Sequence, residues 1–333
     1  VGTTTSIEWA DETANPIRPQ DGGWWCHPSS PGCDHCYAEA LNQWRGNKRP
    51  YGGVAPPLEL DRDLLASWAR KRKPRRIFIS SMTDIFGVWV PETWVFEILD
   101  AMAAAGRMTF LPLTKWVVRM RCLVAQWLEL RGLDELPPHI WPCCSVENQI
   151  FANQRIPELL QIPAMCHGLS IEPLIGPIEL ARSWIELELQ SFGGNGGRCF
   201  PRVDFVMVGG ESGDETQRPM HPLWAESLRD QCLEHQVRYL FKQWGAWEPL
   251  GSCWQWHELH AVFPTRDLIG IDQYGYVFQG RDKGHWYVQD RCQGGPEWFR
   301  RVGKVSAGRV LGGREWNQIL VWDPDQQEVV PRG

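Results

Sequence analysis

Between residues 76 and 241 the chain repeats one rhythm: a short apolar run, polar or glycine-bearing punctuation, then a longer segment with helical spacing. The apolar runs are Arg76–Ser80, Thr109–Leu113, Ile140–Cys144, Met165–Ser170, Phe205–Val208 and Val237–Phe241. Between them lie amphipathic stretches such as Pro91–Ala105 and His221–His235. Short buried strands alternating with helices predict an α/β fold with a parallel sheet of βα units, a (β/α) barrel of the TIM type, partial or complete. Pro112 and Pro142 fall inside two of the runs and predict bulges or strand ends there, because proline donates nothing to a ladder.

Each run finishes in residues able to do chemistry: Ser80-Ser81-Met82-Thr83-Asp84, Thr114-Lys115, Ser145-Val146-Glu147-Asn148, Ser170-Ile171-Glu172-Pro173, Gly209-Gly210-Glu211-Ser212 and Lys242-Gln243-Trp244. Taken singly these are ordinary N-caps and turns. Recurring at successive strand ends, they predict one polar mouth above an apolar barrel, the place where parallel α/β folds carry function. Lys115, Glu147, Glu172 and Lys242 are the charged members, and charge at such a mouth is costly unless paired or liganded. Lys242 and Glu172 are the candidates for work on a substrate.

Beyond Trp247 glycines become frequent and aromatics alternate in short runs, as in Tyr274–Phe278 and His285–Val288. The chain is therefore read as a barrel with its N-terminal loops over residues 1–246 and a smaller β-rich extension over 247–333 that packs on it. The Gly-Gly-Asn-Gly-Gly stretch within Ser191–Arg202 predicts a flexible insertion.

Composition changes this picture little. The 333 residues are 43% hydrophobic and 22% charged, as in a soluble globular protein. No window reaches the roughly 18 apolar residues of a membrane span, and Val1–Ala10 lacks the basic and apolar regions of a signal peptide. A cytoplasmic protein is the expectation. The net charge of −6 excludes a polycation that coats nucleic acid. One dense basic run, Arg70, Lys71, Arg72, Lys73, Arg75 and Arg76, reads either as a solvated helix end or as a phosphate-contacting patch. Twenty tryptophans supply core area and flat faces for stacking.

Candidate chemistry concentrates in "CHPSSPGCDHCYAEA", Cys26–Ala40. Three of the eleven cysteines fall there, and the other eight are scattered, as small buried hydrophobes are. Thiolates bind zinc or iron–sulfur clusters. A structural zinc site wants four ligands, usually from two knuckles, and here one Cys-x-x-Cys pair stands alone with His27 or His35 as the completing group. Three thiolates in one loop fit a cubane cluster better, with its fourth iron open.

The cysteine loop at the start of a parallel barrel resembles that of a radical S-adenosylmethionine (SAM) enzyme. More narrowly, "IEWADETANP", "SPGCDHCYAEA", "ISSMTDIF", "SVENQ", "SIEPLIGPI", "VMVGGESG", "RPMHP", "FKQWG" and "AGRVLGGREWN" resemble a phage-encoded three-cysteine-motif family of uncharacterised proteins, related to radical SAM enzymes such as spore photoproduct lyase. One departure is clear: the cysteines are spaced by six and two residues instead of three and two, so the loop holding Pro28 and Pro31 must bulge.

The resemblance implies that Cys26, Cys33 and Cys36 each bind one iron of a [4Fe-4S] cluster and that SAM chelates the fourth. An electron donor would then trigger release of a 5′-deoxyadenosyl radical. His35 would lie beside the adenine. Ser81, Thr83 and Asp84 would meet the amino group, and Gly209, Gly210 and Glu211 would approach the adenosine or the substrate, with Lys115 and Glu147 also near the cofactor. Cys144, were it to face the mouth, would donate a hydrogen atom; its ordinary reading is buried and inert. The function implied is repair or modification of a nucleic acid or nucleotide, in the host cytoplasm if phage-encoded. The alternatives are a binding module stapled by iron–sulfur or zinc, and a phage-associated interaction protein.

Overall fold

The computed structural model describes residues 3–186, 201–213, 217–251, 268–271, 274, 277–278 and 297–332. The glycine-rich insertion read at Ser191–Arg202 lies outside them except for its last two residues, as does the aromatic run His285–Val288.

In chain order the N-terminal elements are β1 (Thr3–Thr4), β2 (Glu12–Ala14), β3 (Ile17–Pro19), α1 (Tyr37–Arg45), β4 (Leu58–Leu60) and α2 (Arg62–Trp68). The alternating part follows: β5 (Arg76–Ile79), α3 (Glu92–Ala103), β6 (Thr109–Thr114), α4 (Val117–Arg131), β7 (Cys143–Ser145), α5 (Gln149–Leu159), β8 (Gly168–Ile171), α6 (Arg182–Ile185), β9 (Phe205–Gly209), α7 (Pro222–Glu234) and β10 (Arg238–Gln243). Strands β2 and β5 to β10 lie side by side in that order and all run parallel, with β1 antiparallel on the outer edge of β2.

Seven parallel strands make a curled half-barrel. Among the described residues β10 does not pair with β2. Its free edge instead takes Trp316–Gln318: the Phe241 amide donates to Trp316 O at 2.9 Å, and the Gln318 amide donates to Tyr239 O at 3.2 Å. Of the two barrel forms expected, the partial one is seen.

The two faces of this sheet follow from the two-residue period of a strand. Ile77, Phe110, Cys144, Leu169, Val206 and Tyr239 join the core beneath the helices, where α3 contributes Val95, Ile98, Leu99 and Met102 at helical spacing. Phe78, Leu111, Cys143, Phe205, Met207 and Leu240 point the other way, into the concave interior, together with Trp9 and Trp322. Gly168 is small for a packing reason: a Cβ there would overlap the Phe205 ring and crowd Cys143 Sγ. Helix starts are capped where the sequence offers the residue. Asp61 accepts from the Leu64 amide at 2.9 Å before α2, and Asn148 accepts from the Ile150 and Phe151 amides before α5. Pro112 sits within β6 opposite Ile79, and Pro142 immediately precedes β7.

The C-terminal strands β11 (Trp247–Gly251), β12 (Leu268–Ile271), β13 (Val277–Phe278) and β14 (Glu297–Arg301) form an antiparallel sheet in the order β11-β14-β12-β13. After two short strands, β15 (Val310–Leu311) and β16 (Arg314–Glu315), comes the hairpin of β17 (Ile319–Asp323) and β18 (Glu328–Arg332). It stops the concave interior from below: Trp322 is buried among the inward side chains, and its Nε1 donates to Gly106 O at 3.1 Å. No described helix is long and apolar enough to cross a membrane.

Candidate functional site

A cleft with about 1040 Å³ of open space lies over the C-terminal ends of the parallel strands. Strand alternation carries Ser80, Ser145, Ser170, Glu172 and Lys242 into it from β5, β7, β8 and β10, and the cysteine loop roofs it. Cys26, Cys33 and Cys36 all line this one cavity, as do His27 and His35.

The loop reaches this position by local means. Pro31 opens a 3₁₀ turn over Pro31–Cys33, which takes up the extra residues between the first two cysteines. Cys33 Sγ receives the Ser29 amide at 3.5 Å and lies 3.9 Å from Ser30 Oγ. Cys36 stands at the N-cap of α1, so its sulfur meets the positive end of a helix. Burial pushes the Cys36 thiol up, the Ala38 and Glu39 amides pull it down, and Cys33 pushes it up again. The Cys26 thiol is driven well above its ordinary value by burial, then by Asp84, Cys36 and Cys33. Cys26 and Cys36 thus sit in surroundings that disfavour bare thiolates.

Two ion-pair clamps strap the loop to the barrel. Glu147, fully buried, pairs with Lys115 and with Arg155 at 3.0 Å, and accepts from Ser30 Oγ. Gly32 rests on the same carboxylate, where a Cβ would overlap the Glu147 side chain. Burial alone would raise the Glu147 pKa, but Lys115 and Arg155 outweigh it and hold the carboxyl below the usual glutamate range. On the other side Arg218 pairs with Glu211, donates to Pro31 O at 2.7 Å and lies 3.6 Å from Asp34.

Across the cavity Lys242 Nζ meets both oxygens of Glu172, at 2.6 and 2.8 Å. The loop after β5 is pinned from two directions. Asn15 donates to Ser81 Oγ at 3.0 Å and accepts from the Met82 amide, while Tyr37 and Tyr51 donate to the Ser81 and Met82 carbonyls. Asp84 accepts from Thr114 Oγ1, the Lys115 amide and the Phe86 amide. Burial pushes its carboxyl up to about 6 against those donors.

The profile of a family described as "Protein of unknown function (DUF5131)" matches residues 4–320. The chain belongs to this family. No curated protein matches this DUF5131 member significantly. Among solved structures it is similar to spore photoproduct lyase. One, complexed with dinucleoside spore photoproduct, is 11% identical with a TM-score of 0.38, covering 71% of this chain and 65% of that one. Another, a mutant with bound AdoMet and the same dinucleoside, is 12% identical with a TM-score of 0.36, covering 52% and 48%. The chain thus spans about half the length of that second structure. At these values the likeness adds no weight to any residue's role.

Of the sequence candidates, His35, Ser81, Thr83, Asp84, Lys115, Glu172, Gly210, Glu211 and Lys242 line the cleft, while Cys144, Glu147 and Gly209 are not among its lining residues. Cys144 lies in the helix-facing core, not in the cavity, because alternation along β7 turns Cys143 inward and Cys144 outward. Burial pushes its thiol up to about 12. Glu147 and Glu211 spend their carboxylates on the clamps, and Ser81 and Asp84 on holding the loop after β5. At Gly210 a Cβ would collide with the Trp244 carbonyl, so that glycine is required where the ends of β9 and β10 cross, whatever lies in the cleft.

The basic run follows the end of α2 and leads into β5, as the solvated helix-end reading expects. Arg76 begins β5, at the end of the sheet opposite the cleft, and pairs with Asp11 at 3.0 Å. Lys71 and Arg75 both face Glu12. Arg70, Arg72 and Lys73 stay exposed on the same connection.

Two positions that fasten the cysteine loop escaped the sequence reading. Ser30 and Arg218 act through contacts 117 and 187 residues away, which no local spacing announces. Ser80 was visible in principle: it follows Phe78 by two, so it faces inward with it, and its left-handed φ of 71° turns the chain over the cleft.

Proposed function

We propose that this protein is a radical SAM-type enzyme whose Cys26, Cys33 and Cys36 hold a [4Fe-4S] cluster, with SAM and a nucleic-acid or nucleotide substrate in the adjoining cleft. The observation that carries this reading is the convergence of three thiols from one loop on a cavity at the C-terminal ends of parallel strands. The donor set bears on the choice of metal. Among the described residues no three His, Cys, Asp or Glu side chains come close enough together to hold one metal ion. Three thiols from one loop, with no second Cys-x-x-Cys knuckle in the chain, match a cubane with one open iron better than a four-ligand structural zinc site.

When bound, the cluster supplies one electron to a sulfonium and so starts radical chemistry. The chain's own residues do the rest. Ser29 and Ser30 set the Cys33 sulfur, the start of α1 sets Cys36, and the two clamps hold the loop against the sheet. Lys242 and Glu172, already paired, present a cation and an acceptor to a polar substrate from the far wall.

The test is a SAM-cleavage assay on anaerobically reconstituted, reduced protein. Release of 5′-deoxyadenosine above a protein-free control is expected. A protein that carries its cluster and leaves SAM intact under a range of one-electron reductants would return the reading to a binding module.

A further inference from the structure

Three polar atoms in the cleft region have no partner. Trp9 Nε1, Ser80 Oγ and Thr83 Oγ1 are buried and make no hydrogen bond. All three residues line the same cavity and are 4%, 6% and 9% exposed. Buried polar groups in folded proteins are nearly always satisfied, and each exception asks for a reason. Three exceptions lining one cavity point to a ligand that completes them. Ser80 adds a second cost, because a non-glycine residue at φ 71° is strained, and strain of this kind gathers at ligand sites.

The surroundings limit what that ligand can be. Trp9 and Phe78 pack with ring centroids 4.5 Å apart and planes tilted by 48°, forming an aromatic corner that Ile7 and Leu113 extend. A sugar can lay its C–H face on an indole but carries hydroxyls around its whole rim, more than one indole N–H and two hydroxyls satisfy. A fatty chain lacks the polar edge that an indole N–H and two hydroxyls ask for. A flat heterocycle with ring nitrogens and exocyclic oxygen or amino groups has both.

We infer that Trp9, Phe78, Ser80 and Thr83 form a nucleobase pocket, with the aromatic corner against the base and the indole N–H and two hydroxyls on its polar edge. Trp9 comes from the segment before β2, so the N-terminal strap becomes part of the binding site. This deepens the nucleotide reading above and rests on it for the chemistry that follows, but base binding itself needs no cluster. The base can belong to the cofactor's nucleoside or to the substrate.

The experiment uses the full-length protein without metal, titrated calorimetrically with adenosine and, separately, with thymidine. At least one should bind. Ser80→Ala, Thr83→Val and Trp9→Phe, which delete the polar atoms and keep most of the shape, should each weaken that binding about tenfold. Ser80→Ala and Thr83→Val should leave the ligand-free melting temperature unchanged or raise it, since each removes an unsatisfied group. A simply structural hydroxyl would lower it. Adenosine responding alone assigns the pocket to the cofactor side, and thymidine responding assigns it to the substrate; both support the pocket. Failure of both nucleosides to bind, equal binding by all three variants, or a lowered ligand-free melting temperature in both hydroxyl variants would overturn it. Iron content is measured independently, so loss of the cluster reading and loss of the base pocket are separable.

Discussion

Glu147→Ala should cost the fold about 3–5 kcal/mol, the usual result of removing one partner from a buried ion pair. The residue is wholly buried between Lys115 and Arg155, and its loss strands both cations and frees Ser30. Arg155 would keep only neutral partners, the Ser145 carbonyl at 2.7 Å and the Phe151 ring beneath its guanidinium. Chemical denaturation reads the loss directly, and proteolysis should nick the cysteine loop first. Glu147→Gln separates charge from shape: it keeps the volume under Gly32 yet leaves the cations uncompensated, so most of the loss should persist. The pH dependence has a definite sign. A carboxyl whose folded pKa is depressed contributes stability above its unfolded value, ordinarily 4.5, and loses it as the pH falls through the folded value. Wild-type stability should therefore fall below about pH 4.5, with a smaller slope in Glu147→Gln. An Ala variant as stable as wild type would mean that the clamp does not hold the loop.

The second large effect is chemical. Cys33→Ala should bind iron more than about 100-fold more weakly than wild type, beyond the loss typical of changes one shell removed from a metal, and should lose SAM cleavage with it. Its folding should be nearly untouched, because the Glu147 and Arg218 clamps grip Ser30 and Pro31, not the sulfur. Absorbance after reconstitution and a melting curve measured together decide this. Full iron binding by Cys33→Ala would remove that residue from the site, and collapse of the fold would recast it as a packing residue.

Much of the architecture was legible because it rests on local rules. Alternation along β5 to β10 announces two buried faces, so Ser145, Ser170 and Lys242 could be placed at strand ends from the sequence, and they do line the cleft. What those strand ends do was less legible. Glu147, Glu211, Ser81 and Asp84 are chemically suited to ligands, yet each is engaged by other side chains: Glu147 by Arg155 and Ser30, Glu211 by Arg218, Ser81 by Asn15 and Asp84 by Thr114. A side chain's chemistry says what it can bind, and the fold decides what reaches it first. Which end of the sheet the basic run occupies was not legible either: a strand has two ends, and Arg76 begins β5 at the end away from the cleft. Trp9 needed the three-dimensional structure altogether, since nothing near it in sequence shows that its ring meets Phe78 inside the half-barrel.

The central claim is that the sulfurs of Cys26, Cys33 and Cys36 serve a cluster. Iron, acid-labile sulfide and zinc counted per chain, in protein purified without oxygen, test it most directly. About four irons and four sulfides per chain with negligible zinc is the predicted result; one zinc per chain, or no metal retained after reconstitution, would contradict it.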